Sequence, residues 1–549
     1  MGNQDQTSPQ PWSNHQPPSQ PTTTEPKPEP ALLHRSLRQQ PYKVTSAKGI
    51  YLTLDDGRVV MDACGGAAVA CLGHGNEEVR DAVMRQMSTG VSYLHSLTYT
   101  TDAAEELARF LIDGPPRPPT GAPPPIAAAT TGARRFGLER AYFVNSGSEA
   151  MDAALKLARQ YFFELDQQQQ NQPTSNSNSN SNSNSRNTTR RSKFVARKQS
   201  YHGTTIGAMN VGSNLARKVP YSNLQLPDDT VSWVTPAYTY QYSHWRDGET
   251  ETQFAQRLVA ELDAHFQKLD PETVIAFIAE PVVGATSGCT PAPRGYFKGV
   301  RRVCDKYGIL LIMDEVMCGM GRTGTTFAFE QEHDNDDDDT NNANTNTNNN
   351  NNTEVVVPDI VTIGKGLGGG YMPVAGLLVH RKIVDVLKKG TSNFNHGHTY
   401  QAHPVGCAAT LAVQQILHRE GLVDNCAQMG KLLYSLLRDT FANCKYVGDI
   451  RGRGLFWGLE FVSDRDTRAS FDPSVAFGPR FQALAFELGV AVYPGTGTVD
   501  GFRGDHAILS PPYNVTEDEL HKIVQILKRA YDRLEKEVDG KGEETIGTE

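Results

Sequence analysis

Lys365 is the residue of this sequence whose type and surroundings are best suited to chemistry. It lies in the run PDIVTIGKGLGGG, in which the apolar residues 360–363 predict a short buried strand that ends near the lysine. A lysine at the end of a strand is displayed into a cleft, and flanking glycines allow another molecule to approach the backbone closely. A lone Gly-Lys-Gly more often forms a solvated loop, so the prediction depends on other polar groups of the chain.

Four other segments supply polar groups of the kind that a reactive lysine needs. Asp314 ends the apolar run GILLIMD, and residues 146–150, SGSEA, predict a turn that opens a helix. Residues 201–203 read Tyr-His-Gly, and residues 398–400 read His-Thr-Tyr. Each motif has an ordinary explanation when taken alone, such as helix capping or a core tyrosine, and only the combination points to a site.

The combination matches what pyridoxal phosphate requires, which is an amine, an acid for the ring nitrogen, phosphate donors and an aromatic face. Lys365 is the candidate amine for a Schiff base and the candidate base that moves a proton, since burial near positive charge lowers a lysine pKa. Asp314 is the candidate partner of the ring nitrogen. Gly147 and Ser148 would offer helix N-terminal amides to the phosphate, and Tyr201 would offer its ring for stacking.

Composition and charge exclude several other classes of protein. The 549 residues carry a formal net charge of −9 without a basic stripe, which argues against nucleic-acid binding. No apolar run approaches the ~18 residues that a membrane span needs. Eight scattered cysteines show neither metal-site nor disulfide spacing, and the N-terminus resembles no secretory or transit signal. We therefore expect a soluble cytoplasmic protein that holds no metal and acts on small molecules.

Several segments offer too little apolar surface to fold. Residues 1–40 are predicted to be a disordered tail, and residues 536–549 a flexible one. Residues 113–135 are rich in Pro, Ala, Gly and Thr, residues 166–192 in Gln, Asn and Ser, and residues 334–353 in Asp, Asn and Thr. We interpret these three as solvated inserts, with an interaction or aggregation tract as the alternative for the two repeats.

The rest of the chain predicts an α/β fold. Between the inserts, strand and helix patterns alternate, which is typical of a mainly parallel sheet covered by helices. We assign residues 96–390 to a large domain that binds the cofactor. Residues 41–95 and 391–535 are predicted to form a smaller α+β domain together, with residues 391–405 still near the cofactor.

Four local patterns give specific expectations for secondary structure. The alternation in residues 50–62 around Asp-Gly predicts a hairpin. Asn76 is expected to cap a helix that buries one face including Met87. After Pro404 the sequence predicts two long helices and then the strand LFWGLEF. A capping box that begins at Thr516 predicts the start of the last helix.

Taken in order, the motifs NSGSEA, SYHG, AEPV, MDEVMCGMGRTG, PDIVTIGKGLGGG and HGHTYQAHP resemble the class III aminotransferases of fold type I. The resemblance covers residues 41–535 and implies the pyridoxal phosphate roles given above. It adds His202 to the residues that bind the cofactor and Glu280 as a supporting catalytic residue. It also implies that Thr399 reaches the phosphate of a neighbouring subunit, so that the enzyme is a homodimer.

The resemblance also bears on the substrate. Arg451 matches an arginine that takes the α-carboxylate in relatives acting on α-amino acids. Ala285 stands where relatives that use ornithine or GABA carry a glutamate, and Met317 where many of them have glutamine, so we expect neither substrate. The segment RGDHAILSPPYNVT resembles the amine:pyruvate and ω-transaminase branch, and Arg503 in a glycine-flanked loop is expected to bind the carboxylate of a keto acid.

The sequence therefore predicts a transaminase that moves an amino group from an amine or amino acid to a keto acid such as pyruvate or 2-oxoglutarate by a ping-pong mechanism. Two alternatives remain. The same cofactor could serve an aminomutase or a decarboxylase. A catalytically inactive dimeric interaction protein is the third hypothesis, against which the complete set of Lys365, Asp314 and phosphate turn argues.

Overall fold

The structure is a computed structural model that describes residues 31–38, 40–115, 132–170, 190–227, 229–332 and 356–546. The predicted insert 334–353 lies outside the described residues, as do most of 113–135, of 166–192 and of the tail 1–40. Among the described helices, none is both long and apolar enough to cross a membrane.

The strands of the described residues are β1 (Val44–Lys48), β2 (Tyr51–Leu54), β3 (Val59–Asp62), β4 (Leu138–Val144), β5 (Lys193–Arg197), β6 (Val231–Val234), β7 (Val274–Ala279), β8 (Val282–Val283), β9 (Thr290–Pro291), β10 (Leu310–Asp314), β11 (Ile360–Ile363), β12 (Ala375–His380), β13 (Val447–Arg453), β14 (Phe456–Phe461), β15 (Val490–Ala491), β16 (Tyr493–Thr496) and β17 (Asp505–Leu509).

The α-helices of the same residues are α1 (Gly65–Ala68), α2 (Glu77–Ser88), α3 (Asp102–Asp113), α4 (Gly147–Gln170), α5 (Ile206–Val211), α6 (Leu215–Lys218), α7 (Thr239–Tyr242), α8 (Glu251–Leu269), α9 (Tyr296–Tyr307), α10 (Arg381–Lys389), α11 (Pro404–Arg419), α12 (Leu422–Phe441), α13 (Phe477–Glu487) and α14 (Glu517–Ile546).

A seven-stranded sheet lies at the centre of the described chain, in the order β4-β12-β11-β10-β7-β5-β6. Only β12 runs against its neighbours, while β11, β10, β7, β5 and β6 are parallel. Every residue of β7, β10 and β11 is buried, because helices cover both faces of the sheet. The predicted α/β fold with a mainly parallel sheet is thus confirmed.

Two four-stranded sheets accompany the central one, in the orders β1-β2-β3-β15 and β13-β14-β17-β16. One hydrophobic core joins apolar residues of the N-terminal segment, such as Ile50 and Val79, to residues of α11, α12 and α14. This packing brings the two ends of the described chain together. The domain boundaries proposed from the sequence stay a prediction.

The local sequence patterns predicted the hairpin and the start of α2 correctly. β2 and β3 form the predicted hairpin, and the Asn76 side chain accepts a hydrogen bond from the Val79 amide at the start of α2. Met87, however, is 48% exposed, so its expected burial on that helix was wrong. Two helices also run further than expected: α4 continues to Gln170, and α14 continues beyond residue 535, where a flexible tail was predicted.

Candidate active site

A cavity of about 460 Å³ lies at the carboxyl ends of β7, β10 and β11. Open α/β sheets place their ligands at this edge, and cavities of this size hold small molecules and cofactors. Seven of the ten predicted site residues line the cavity, namely Lys365, Asp314, Glu280, Tyr201, His202, Gly147 and Ser148. The other three, Thr399, Arg451 and Arg503, do not line it.

Lys365 follows β11 directly and begins a short 3-10 helix, Lys365–Leu367. Its φ of 46° lies in the left-handed region, which costs a non-glycine residue free energy and is typical of functional sites. Its carbonyl accepts hydrogen bonds from the amides of Gly368 and Gly369, at 3.2 and 3.0 Å. Burial lowers the pKa of the lysine amine, although the nearby carboxylates of Asp314 and Glu280 oppose this shift.

Asp314 ends β10 and is held from both sides of its carboxylate. Oδ2 lies 2.7 Å from Nδ1 of His202, and Oδ1 accepts hydrogen bonds from Oγ1 of Thr362 at 3.0 Å and from the Val316 amide at 3.1 Å. Thr362 is its direct neighbour in the parallel pairing of β10 with β11. Such a network fixes the orientation of the carboxylate before any ligand arrives.

His202 and Glu280 complete the buried polar part of the site. Glu280 accepts hydrogen bonds from the amides of Tyr201 at 3.2 Å and Gly284 at 3.0 Å. Burial raises the pKa of the Glu280 carboxyl, and the nearby His202 partly opposes the shift. Nε2 of His202 is buried and has no hydrogen-bond partner among the described residues. A buried nitrogen without a partner is suited to contact with a bound polar group.

The N-terminus of α4 forms another part of the cavity wall. The amide of Glu149 donates to Oγ of Ser146 at 3.2 Å, and the Ala150 amide donates to the Ser146 carbonyl at 3.0 Å. Gly147 and Ser148 therefore carry the first-turn amides that lack an acceptor within the helix. These amides and the helix dipole favour an anionic group such as a phosphate at this end of the cavity.

Gly203 brings the segment after His202 against this helix turn. Its φ is 137°, and a Cβ placed on it would lie 2.6 Å from Oγ and 2.8 Å from Cα of Ser148. The Thr204 amide donates to Oγ of Ser148 at 2.9 Å. Only glycine permits this approach, which positions Tyr201 and His202 beside the start of α4.

Tyr201 presents its ring to the cavity, and an arginine covers the ring. The guanidinium carbon of Arg217, in the short helix α6, lies 4.6 Å from the centroid of the Tyr201 ring. Arg217 is close enough to Lys365 for its charge to lower the pKa of that amine. No sequence pattern singles out this arginine, because SNLARK resembles any exposed helical segment.

Thr399 is exposed and lies in the turn that follows residues 391–398. Its neighbour Tyr400 is 56% exposed and packs against Tyr93, with ring centroids 5.8 Å apart. Thr399 does not line the cavity of its own chain, and its predicted role, to reach the phosphate of a neighbouring subunit, stays a prediction.

Arg451 is buried in β13 and already neutralised. Its guanidinium lies 2.7 Å from Oε2 of Glu460 and 2.9 Å from Oδ2 of Asp449, and it packs on the ring of Tyr238. It also donates to the Ser287 carbonyl at 2.6 Å. For Arg451 to take a substrate carboxylate, as the resemblance implies, Glu460 would first have to move away. A lone acid in the apolar strand LFWGLEF was a signal that could have identified this partner.

Arg503 is also paired. It is exposed in the loop between β16 and β17, and its Nε lies 2.7 Å from Oδ2 of Asp500. The loop is attached to the rest of the protein through the Thr498 hydroxyl, which donates to Glu460, and through the Val499 carbonyl, which accepts from Tyr242. The predicted role of Arg503 in keto-acid binding therefore requires the release of this ion pair.

The cavity fits pyridoxal phosphate. Its residues offer an amine of lowered pKa, a fixed carboxylate, a helix N-terminus for a phosphate and an aromatic ring, which are the groups that the cofactor needs. The buried and unpartnered Nε2 of His202 is a further polar atom available to a ligand.

Comparison with known proteins also indicates an aminotransferase. The family described as "Aminotransferase class-III" matches residues 33–340 and 349–531. An aminotransferase of Schizosaccharomyces pombe is 42% identical over 499 residues, which cover 91% of this chain and 94% of the relative. A diaminobutyrate–2-oxoglutarate transaminase of Halomonas elongata is 31% identical, covering 89% of this chain and 90% of the relative.

Solved structures agree in fold. An amine transaminase from an uncultivated Pseudomonas species, solved with pyridoxal phosphate bound, superimposes with a TM-score of 0.74. It is 27% identical, and the match covers 92% of this chain and 97% of that one. A thermostable ω-transaminase mutant from Pseudomonas jessenii gives a TM-score of 0.73 at 28% identity, covering 90% and 94% of the two chains.

The fold and the cavity thus define a transferase of fold type I that depends on pyridoxal phosphate. Within that class, the chain belongs to the class III aminotransferases.

Proposed function

We propose that this transaminase carries out two half-reactions in one cavity, first with an amine or amino acid and then with a keto acid such as pyruvate or 2-oxoglutarate. The observation that supports this assignment is the convergence of Lys365, Asp314 and the N-terminus of α4 on one cavity of about 460 Å³. The relatives named above as amine, ω- and diaminobutyrate transaminases support the same reaction type.

Lys365 holds the cofactor and moves the proton of the substrate. A lysine amine must be neutral to act as a base, and the low polarity of its buried site favours the neutral form. The left-handed backbone at Lys365 directs the side chain from the end of β11 into the cavity. The charges of Asp314 and Glu280 oppose this shift in the pKa of the amine but do not reverse it.

Asp314 holds the ring nitrogen of the cofactor. Pyridoxal phosphate, when bound, supplies an electron sink for the carbanion that forms when the substrate loses its proton. Asp314 would favour this chemistry because His202 and Thr362 hold its carboxylate in a fixed orientation before the cofactor binds. Gly147 and Ser148 would hold the phosphate and Tyr201 would stack on the ring. The Glu280 carboxylate positions Tyr201 by accepting a hydrogen bond from the Tyr201 amide.

Two variants test this assignment. Lys365→Ala should fold but lose more than about 10³-fold in kcat, because it removes the base and the covalent attachment. Asp314→Asn should retain the cofactor absorbance and lose about 10³-fold in kcat, the scale at which a fixed electrostatic partner acts.

The measurement is transfer of the amino group to pyruvate or 2-oxoglutarate, followed with a panel of amines and amino acids. Release of carbon dioxide, or an amino group moved within one molecule, would instead establish a decarboxylase or an aminomutase. A Lys365→Ala enzyme that kept more than about a thousandth of the activity would refute the role of the lysine.

We also propose that the enzyme is a homodimer in which Thr399 contacts the phosphate bound by the other subunit. Exposed tyrosines lie close to Thr399, namely its chain neighbour Tyr400 and Tyr93, whose ring contacts that of Tyr400, and exposed aromatic side chains of this kind are typical of an interface. Dimers mixed from Thr399→Val and Lys365→Ala chains test this. If Thr399 acts across the interface, one site of the mixed dimer combines both substitutions and the other site has neither. The mixed dimer should therefore be more active than the Thr399→Val homodimer and the Lys365→Ala homodimer. A mixed dimer no more active than the Thr399→Val homodimer would contradict the placement of Thr399.

A cytoplasmic location also stays a proposal. It is supported by the eight free cysteines of the described residues, seven of which are buried as thiols in the core. A reducing compartment preserves such thiols. Fractionation of cells that produce the full-length chain would test the location.

A further inference from the structure

The charges around the cavity leave one requirement of the reaction unassigned. Amino acids and keto acids carry a carboxylate that needs a positively charged partner when it leaves water. Lys365 is needed for the chemistry, and the helix N-terminus is needed for the phosphate. The partner of the substrate carboxylate must therefore be another cation near the cavity.

The three candidate arginines differ in what their guanidinium groups already contact. Arg451 is 7% exposed and is bound to two carboxylates. Arg503 is bound to Asp500. Arg217 forms no ion pair within the described parts of the chain, and its contact there is with the face of the Tyr201 ring. Binding a carboxylate at Arg217 breaks no existing ion pair, whereas at Arg451 or Arg503 it does.

The short helix α6 holds Arg217 in place. The Asn214 side chain accepts from the Arg217 amide at 3.1 Å. The next residue, Lys218, is buried and donates to the carbonyls of Asn210 at 3.2 Å and Gly212 at 3.0 Å. Because Lys218 anchors the helix, the exposed Arg217 is kept over the ring of Tyr201, which lines the cavity, and it has no acidic partner among the described residues. This geometry presents a positioned and uncompensated charge.

The loop between β16 and β17 supports α6 from the outside. A Cβ built on Gly501 would lie 3.5 Å from the side chain of Leu215, so the loop approaches the helix closely. Gln199 also donates to the Thr498 carbonyl at 3.3 Å, which connects the loop to the segment before Tyr201. The loop that carries Arg503 thus borders the Arg217 site without reaching the cavity itself.

We propose that Arg217 binds the carboxylate of amino-acid and keto-acid substrates. This inference rests on the proposed transaminase function. Arg217 would select substrates that carry a carboxylate and would leave the binding of simple amines unaffected. A guanidinium over an aromatic ring can form two parallel hydrogen bonds to a carboxylate, which an ammonium group cannot.

The test compares substrates in which a methyl group replaces the carboxylate. The pairs are β-alanine with propylamine and alanine with isopropylamine, mixed with the holoenzyme while the absorbance of the bound cofactor is followed. In Arg217→Met, the half-saturating concentration of the amino acids, and the KM of pyruvate or 2-oxoglutarate, should rise about 10- to 100-fold. The values for the two simple amines should change less than about 3-fold. Arg217→Lys should give an intermediate defect, because it keeps the charge and loses the paired hydrogen bonds.

A binding measurement makes the result independent of turnover. Butyrate, which has no amino group to transfer, is titrated into the holoenzyme by calorimetry, and its dissociation constant should rise about 10- to 100-fold in Arg217→Met. Arg438→Met is the matched control, since Arg438 also lies over a tyrosine ring, that of Tyr434 at 5.6 Å, but Tyr434, unlike Tyr201, does not line the cavity. Its substitution should leave both measurements unchanged.

Each outcome has a distinct meaning. Equal defects for amines and amino acids in Arg217→Met, or unchanged butyrate binding, would overturn the proposal. A selective keto-acid defect in Arg451→Met or Arg503→Met, with Arg217→Met normal, would also overturn it and assign the carboxylate to that residue. If the wild-type holoenzyme transferred no amino group to any acceptor, the proposed function would fail, while the butyrate titration would still decide whether Arg217 binds a carboxylate.

Discussion

Replacing Glu460 with glutamine tests how the buried charges beside the cavity are balanced. Glu460 is 1% exposed, and its carboxylate lies 2.7 Å from the guanidinium of Arg451. It also accepts hydrogen bonds from Thr498 and Gln241, both at 2.8 Å. Glu460→Gln keeps the size and shape of the side chain and removes its charge, so that Arg451 stays buried with Asp449 as its one remaining carboxylate.

The size of the effect follows from the burial of the pair. Removal of one partner from a buried ion pair costs about 3–5 kcal/mol, because the other charge remains buried without compensation. Asp449 stays 2.9 Å from Arg451 and is partly exposed, which places the expected loss at the lower end. We predict a decrease of about 3 kcal/mol in the free energy of unfolding, roughly a hundredfold change in the ratio of folded to unfolded protein.

The assay is urea-induced unfolding of the holoenzyme, with wild type and variant at the same protein concentration because any assembly adds to the apparent stability. Glu78→Gln is the control, since Glu78 forms an exposed ion pair with Arg419, whose loss should cost less than about 1 kcal/mol. The double substitution Arg451→Met and Glu460→Leu should cost less than Glu460→Gln alone, because no charge is left buried. If Glu460→Gln cost no more than Glu78→Gln, the reasoning would be wrong.

Two further predictions follow from the backbone and from a buried imidazole. Gly203→Ala should weaken retention of the cofactor and lower stability by about 2–4 kcal/mol, because its Cβ would overlap Ser148, whereas Gly248→Ala, at a φ of 80° with no atom within 4 Å, should cost only about 1 kcal/mol. Cofactor absorbance after dialysis and thermal unfolding measure both effects, and equal losses at the two glycines would contradict the overlap. Burial, together with the charge of Arg451, lowers the pKa of His506 to about 3. Its stabilising contribution is complete above the unfolded pKa of 6.5 and is lost as pH falls toward 3, so wild type should lose about 2 kcal/mol more than His506→Gln between pH 7 and pH 5. Parallel pH profiles of the two proteins would show that His506 does not titrate in this way.

The sequence was sufficient for the part of the site that follows strand ends. Asp314 and Lys365 each come directly after an apolar run, and neighbouring parallel strands must bring such positions together. Thr362 could have been found in the same way, since it is a polar residue within the buried run IVTI and pairs with Asp314. These relations depend on local pattern and strand register, which a single sequence displays.

The availability of the arginines to a ligand could not be predicted from sequence pattern. The resemblance identified Arg451 and Arg503 by type and position, but their acidic partners decide whether either is available to a ligand. Glu460 lies on the strand next to Arg451, and Arg217 reaches Tyr201 only because α6 folds back over it. The lone acid in the strand LFWGLEF indicates that Glu460 needs a buried partner, but which arginine pairs with it, and which ring Arg217 covers, depend on tertiary packing that composition and periodicity do not specify.

The pairing of β4 with β12 sets the order in which the cofactor site is assembled during synthesis. Val144 pairs with Ala375, and 375 − 144 = 231 residues separate them. At about 5–20 residues per second, the ribosome needs roughly 10–50 seconds to make this segment. During that time β4, and the turn directly after it that we propose binds the phosphate, lack their strand partner. Lys365 emerges only ten residues before Ala375, so the lysine and the strand that completes the turn leave the ribosome almost together. A newly made chain therefore cannot form its cofactor site until about two thirds of its length has been translated.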